Sequence, residues 1–336
     1  MTGVQTCALP ILYQFEIWRR QATGTVAEIL GERELKRDIG SRLFRFRGDL
    51  ETEFARYHPR GGQIIRAFTE GVNAWISETE KNPSLLPLEF RLLGIKPGRW
   101  TPDVVISRHQ GLLNNLTEEI NVARAVAAIG ADKTKKLFSF EPGDPDLSLD
   151  KIIDTGLLAS ELIAPYEAFR KPLIFLPSDL KTSATEKPDD GIRTAEADRL
   201  EWETFLERDR DAIGSNNWVV SGSKAAGKFP MLANDPHRAI TTPSLRYLVH
   251  LNAPGWNVVG GGEPVIPGVS IGHNDHGAWG LTVFDIDAED LYIYELDPKN
   301  ARQYRYKGGW ETMRVIRDTI RVRDHADVVV EHLFTR

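Results

Sequence analysis

The run Gly214-Ser215-Asn216-Asn217-Trp218-Val219-Val220 divides the chain into two kinds of sequence. Directly before it lies a charged stretch, Glu201 to Asp211. From Ser215 onward, short β-type runs alternate with Gly and Pro, among them Trp256-Asn257-Val258-Val259-Gly260 and Leu291-Tyr292-Ile293-Tyr294. A β-rich run, Asp327-Val328-Val329-Val330, lies near the end. On the other side, from Tyr13 to about Pro177, the signals are helical. Ile64, Phe68, Val72, Trp75 and Ile76 recur at helical spacing, as do Ile120, Ala123, Val126 and Ala127. Such stripes read as ordinary core packing. Between the halves, Ser178 to Gly214 is polar and charged, with a loop at Pro188-Asp189-Asp190-Gly191 and a short amphipathic patch of Leu200, Trp202, Phe205 and Leu206 that predicts one helix. Helices first and strands later, in one core, predict an α+β layered domain.

Ser215 has two readings. Gly-Ser-Asn-Asn is good turn sequence, because these residues make local hydrogen bonds and tolerate unusual backbone angles. Alternatively, the chain is cut at Gly214-Ser215 and Ser215 becomes a new N-terminus. A serine hydroxyl is a weak nucleophile until a nearby base takes its proton. A free α-amino group, with a pKa of about 7.7–8.0, is partly neutral at physiological pH and would serve as that base. An internal serine has no such group. His237, in Asn234-Asp235-Pro236-His237, is by itself either a surface histidine after a Pro turn or a partner of that serine.

Composition narrows the classes without choosing one. The 336 residues carry a formal charge of -6 with both signs interspersed, and no basic patch of the kind a nucleic-acid binder needs. No apolar run is long enough to span a membrane, so neither nucleic acid nor membrane is an expected partner. Cys7 is the single cysteine and forms no internal disulfide, which leaves the compartment unread. No charged start followed by an apolar stretch marks a signal peptide.

Further motifs flank the tetrad: Ser221-Gly222-Ser223-Lys224, Pro267-Gly268, Gly272-His273-Asn274 and Trp279-Gly280-Leu281-Thr282. Upstream stand Gly24-Thr25-Val26-Ala27-Glu28, Gly71-Val72-Asn73-Ala74-Trp75-Ile76 and Trp100-Thr101-Pro102-Asp103-Val104-Val105. In this order and spacing the chain resembles the penicillin acylase family of N-terminal-nucleophile amidohydrolases, which includes cephalosporin and acyl-homoserine-lactone acylases. The resemblance runs from about Leu12 to the end. It implies a four-layer αββα sandwich, incomplete here, with a mainly helical small-chain region at 12–177, a removable spacer at 178–214 and the start of the β-rich large chain at 215–336. Residues 1–11 do not match what precedes this region in the family, and an artefactual start is expected for them. The family's large chain continues past Arg336, so a fragment truncated at both ends, inactive alone, is expected. A periplasmic or secreted location and a small-molecule acyl amide substrate are further implications.

The resemblance also assigns roles. Ser215 is the nucleophile, freed by autoproteolysis after Gly214, and His237 helps hold its hydroxyl and amine. Penicillin G acylases carry glutamine at that position, whereas cephalosporin and lactone acylases carry histidine. The backbone N–H of Val283 matches an oxyanion donor, a group whose loss costs about 10²–10³ in rate. The second donor, an asparagine, falls beyond Arg336. Calcium is the implied cofactor, a hard cation that takes about six to eight oxygens. Its ligands here would be the carboxylates of Glu119, Asp287 and Asp290 and the backbone carbonyl of Glu289, although such a cluster by itself also reads as a solvated acidic loop. The acyl pocket matches Leu112, Leu113, Arg238 and Ile271. An aliphatic Ile271 and a charged Arg238, where penicillin G acylases have aromatic residues, argue against a phenylacetyl pocket. Two other classes stay open: a conventional Ser-His-Asp hydrolase with His237 or His273 as base, against which the lack of a Gly-x-Ser-x-Gly elbow counts, and an inactive, calcium-stabilised acylase-like binding protein.

Overall fold

The computed structural model describes residues 4–107, 115–140, 143–158, 161–181, 214–237, 244–282 and 287–336. They fall into two compact units that interleave along the chain: 1–23, 45–109 and 172–284 make one, and 24–44, 110–171 and 285–336 make the other. Each unit therefore draws helices from the first half and strands from the second. The mixed α+β composition read from the sequence is present in both.

In the first unit, helices Val4–Thr23, Leu50–Tyr57, Gly61–Lys81, Leu88–Leu93 and Pro102–Ser107 supply most of one buried cluster that includes Leu12, Phe54, Ile65, Ile76, Phe90, Trp100 and Val104. Asp49 starts the helix Leu50–Tyr57 by accepting the Thr52 N–H at 2.8 Å, the usual remedy for unpaired first-turn donors. Gly94 ends Leu88–Leu93 in the left-handed region, φ 63°, where a Cβ is costly. The helix at Gly61–Lys81 forms as its apolar spacing predicts, with one shift. Ile65 is buried at 7% exposure, while its neighbour Ile64 is 39% exposed. Fully burying one such aliphatic side chain is worth about 1.5–3 kcal/mol, so a choice between adjacent residues sets the helix rotation.

The strands of this unit make two sheets. Gly214–Val220 pairs antiparallel with Met231–His237. Tyr247–Ala253, Trp256–Gly262, Ile271–Asn274 and Ala278–Trp279 follow as a four-stranded antiparallel meander. Gly260 lies opposite Gly272 in it, and a Cβ on Gly272 would stand 2.3 Å from the Val259 carbonyl oxygen. The two backbones approach more closely than any side chain permits.

The second unit holds helices Ala27–Leu30, Leu35–Phe44, Asn115–Ile129, Ala131–Leu137, Thr155–Leu158 and Ala164–Arg170. Leu116, Ile120, Leu158, Ile163 and Tyr166 form one buried cluster there, and Ala27, Ile320 and Val322 another. Leu296–Asp297, Asn300–Tyr306 and Gly309–Thr312 make a three-stranded sheet, and Arg314–Ile320 pairs with Val328–Phe334. Asp38 is fully buried and accepts the N–H groups of Val26 and Ala27 at 2.9 and 2.7 Å, which fixes the start of Ala27–Leu30. Burial pushes its carboxyl up to about 7 against the pull of those two donors and Arg42.

One strand expectation fails. Leu291-Tyr292-Ile293-Tyr294 joins no ladder, and Tyr292 is 72% exposed. Apolar β-formers make a strand only where a partner backbone lies alongside, and none of the described residues offers one here. The loop at Pro188 and the helix expected around Leu200 lie outside the described residues. Among the described residues no helix is long and apolar enough to cross a membrane.

Candidate active site

The ribbon Gly214–Val220/Met231–His237 carries the residues singled out around the Gly-Ser pair. Its register sets Gly214 opposite His237, Ser215 opposite Pro236, Asn216 opposite Asp235 and Asn217 opposite Asn234. Side chains alternate between the faces of a strand, and residues directly opposite share a face. His237, Asp235 and Asn216 therefore share one face with Gly214. Ser215, Asn217 and Asn234 lie on the other.

Among the described residues, Asp235 and Asn216 hold the His237 ring on its face. Its Nε2 stands 3.1 Å from Asp235 Oδ2 and 3.3 Å from Asn216 Nδ2. A protonated Nε2 donates to the carboxylate, and a bare Nε2 accepts from the amide. The other ring nitrogen, Nδ1, points at the missing side chain of Gly214, since a Cβ there would lie 3.6 Å away. His237 thus sits over the residue that supplies the carbonyl of the Gly214-Ser215 bond.

The opposite face is tied to the end of the meander. Asn234 Oδ1 accepts the Leu281 N–H at 2.9 Å, and Asn234 Nδ2 donates to the Leu281 carbonyl at 3.0 Å. The same nitrogen reaches the Asn216 carbonyl at 3.2 Å. A side-chain amide carries donor and acceptor in one plane, so it pairs with a backbone peptide as a neighbouring strand would. Asn73 uses the same device on Trp100, with both bonds at 2.8 Å.

A second constellation stands in the other unit. Carboxylate oxygens of Glu119, Asp287 and Asp290 all lie within 4.8 Å of one another. Burial first, then the charges of Asp287, Asp290 and Glu289, hold the Glu119 carboxyl above its usual range, while the Asn115 amide lowers it. Asn115 Nδ2 is 2.6 Å from Glu119 Oε1, 2.6 Å from the Glu289 carbonyl oxygen and 3.1 Å from Asp287 Oδ1. An amide nitrogen has two hydrogens, so three converging oxygens exceed what it can satisfy. The donor set is all hard oxygen, the chemistry a dication such as calcium takes. The Glu289 side chain faces away and is clamped by the Tyr166 hydroxyl and by Arg170 Nη2 at 3.2 Å. Arg170 stacks 3.4 Å over the Tyr166 ring.

Of the sequence candidates, Gly214, Ser215 and His237 come together on one ribbon, and Glu119, Asp287, Glu289 and Asp290 around one point. Ile271 is half-buried in the meander, opposite Gly261. Leu112, Leu113, Arg238 and Val283 lie outside the described residues. Sequence reasoning missed Asn115, Tyr166, Arg170 and the amide of Asn234. Asn234 opens the run Asn234-Asp235-Pro236-His237, and Asn115 lies one helical turn before Glu119, so spacing was the available signal.

The profile of the penicillin amidase family matches residues 10–336, nearly the whole chain, and the chain belongs to that family. The chain is 28% identical over 97% of its length to the penicillin acylase 2 proenzyme of a Pseudomonas species, covering 38% of that protein. It is 27% identical over 93% of its length to the penicillin G acylase of Escherichia coli, covering 40% of it. With the acyl-homoserine lactone acylase QuiP of Pseudomonas aeruginosa, identity is 26% over 93% of this chain and 34% of the relative. The chain therefore spans about two fifths or less of these relatives.

Proposed function

We propose that this chain carries the nucleophile-bearing part of an amidohydrolase that cleaves small acyl amides, of the penicillin, cephalosporin or acyl-homoserine-lactone type. Family membership supports the reaction class. The observation that carries the proposal further is the ribbon register, which sets the Gly214-Ser215 bond across from Pro236-His237. In the precursor, Ser215 Oγ attacks the Gly214 carbonyl carbon and the Gly214–Ser215 C–N bond breaks, leaving an ester. Water hydrolyses the ester, giving a Gly214 carboxylate and a free Ser215 amine. The spacer before Ser215 is then trimmed, and small and large chains remain together from one precursor.

In the mature enzyme the Ser215 amine takes the proton from Oγ as it attacks the substrate carbonyl. The departing amine collects a proton, an acyl-ester forms on Oγ, and water releases the acid. The Val283 N–H is the proposed oxyanion donor. His237, held by Asp235 and Asn216, orients the Gly214-Ser215 segment from the opposite face. Family membership favours a four-layer αββα sandwich and a periplasmic or secreted location. For calcium, the ligands would be Glu119, Asp287 and Asp290 with the Glu289 carbonyl. The ion would supply a structural tie between the 115–119 and 287–290 segments.

A Ser-His-Asp triad has less support. His237 and Asp235 do pair, but strand alternation turns Ser215 to the other face. An inactive binding protein would show no turnover at all. Mass spectrometry with N-terminal sequencing of the full-length product decides among them. A new chain starting at Ser215 in an active preparation is the expected result, and an active preparation containing only intact chain would overturn the proposal.

A further inference from the structure

We infer that Asn234 is a positioning residue of the proposed acyl-transfer site: its side-chain amide, with the space left by Gly280, registers the Leu281 backbone against the nucleophile strand. The inference deepens the function proposed above and rests on it. Three bonds engage both ends of the amide. Oδ1 accepts from Leu281 N at 2.9 Å, and Nδ2 donates to Leu281 O at 3.0 Å and to Asn216 O at 3.2 Å. The last of these acceptors belongs to the residue directly after Ser215. One rigid group thus spans the nucleophile strand and the segment leading to Val283, two residues beyond Leu281.

Gly280 supplies the second, independent observation. A Cβ on it would fall 2.4 Å from Asn217 Nδ2 and 2.8 Å from Asn234 Oδ1. No side chain fits there without displacing the clamp, so glycine is required for close approach and not for backbone angle. The physical need is placement. An oxyanion donor acts only where charge develops, and a shift of about 1 Å can cost about 10²-fold in rate. Leu281 has no reason of its own to stay in register, since its side chain is 55% exposed. The Asn234 amide replaces the missing packing with two backbone-like bonds.

The test uses the full-length protein with a chromogenic acyl anilide that the wild type hydrolyses. Asn234→Ala, Asn234→Asp and Gly280→Ala are compared for kcat, KM, Tm and amide exchange of the 278–282 segment. We expect kcat to fall about 10- to 100-fold with KM within twofold, as for an interaction made only in the transition state, and Leu281 exchange to quicken. Asn234→Asp keeps the acceptor and loses the donor, so it should fall between wild type and Asn234→Ala. Wild-type kcat in Asn234→Ala, a rise in KM alone, or unchanged exchange at Leu281 overturns the inference. If a variant fails to fold, the Gly280→Ala exchange pattern still decides it. A wild type that is uncut at Gly214-Ser215 and inactive overturns the underlying function instead, and is recognised without any variant.

Discussion

The side-chain nitrogen of Asn115 stands 2.6 Å from the backbone carbonyl oxygen of Glu289, a residue 174 positions away. Glu119 and Asp287 turn oxygens to the same nitrogen. A neutral amide is a weak answer to clustered carboxylates, and a dication at this point is a stronger one. Adding calcium should therefore raise Tm, by the equivalent of about 2.7 kcal/mol when the ion is at a hundred times its Kd. Terbium luminescence and melting curves check this. Glu119→Gln and Asp290→Asn should each weaken the response at least tenfold, and a chelator should reverse it. Because Glu119 is held above its usual range, binding should also weaken as pH falls.

Ser215→Ala should accumulate as intact precursor, visible as one band and one mass. Ser215→Cys keeps a nucleophile and should be cut, with turnover reduced by orders of magnitude. Cleavage in the alanine variant would show that an outside protease makes the cut.

Asp38 should give the protein an acid-side stability bonus. Its folded value, about 7, lies above its ordinary 3.8. The folded state holds a proton that the unfolded chain has released, so this contribution is full below 3.8 and is lost as pH rises to about 7. Asp38→Asn should lack that slope. Tm measured from pH 4 to pH 8 should show the gap between wild type and variant changing with pH, and a constant gap would contradict the assignment.

Gly40 lies where the helix Leu35–Phe44 meets Ala164–Arg170. A Cβ there would stand 2.1 Å from the Pro165 carbonyl oxygen and 3.2 Å from Phe169 Cβ. Gly40→Ala raises helix propensity yet overpacks this contact, which costs about 1–3 kcal/mol, so urea unfolding should shift to lower concentration. A more stable variant would mean that the helices separate easily.

Much of the local structure was legible before any coordinates. Trp218-Val219-Val220 are strand formers, and they sit in the strand Gly214–Val220. The apolar spacing of Ile64, Phe68, Val72, Trp75 and Ile76 sits in the helix Gly61–Lys81. What the spacing left open was rotation, because Ile64 and Ile65 are equally apolar and only one can face Phe54 and Trp100. Leu291–Tyr294 shows the limit from the other side. Its residues favour a strand, but a ladder needs a partner that the sequence does not name.

The sequence by itself determined the family and the order of helices and strands. These depend on residue type and near spacing, which a chain displays openly. Tertiary structure alone decided that Asn115 fills the space between Glu119 and Glu289, that Tyr166 and Arg170 clamp the Glu289 side chain, and that Asn234 holds Leu281. It also decided that His237 faces Gly214 while Ser215 faces the other way. Those relations join residues many positions apart, and hydrogen bonds select them by distance and direction, which spacing along the chain does not encode.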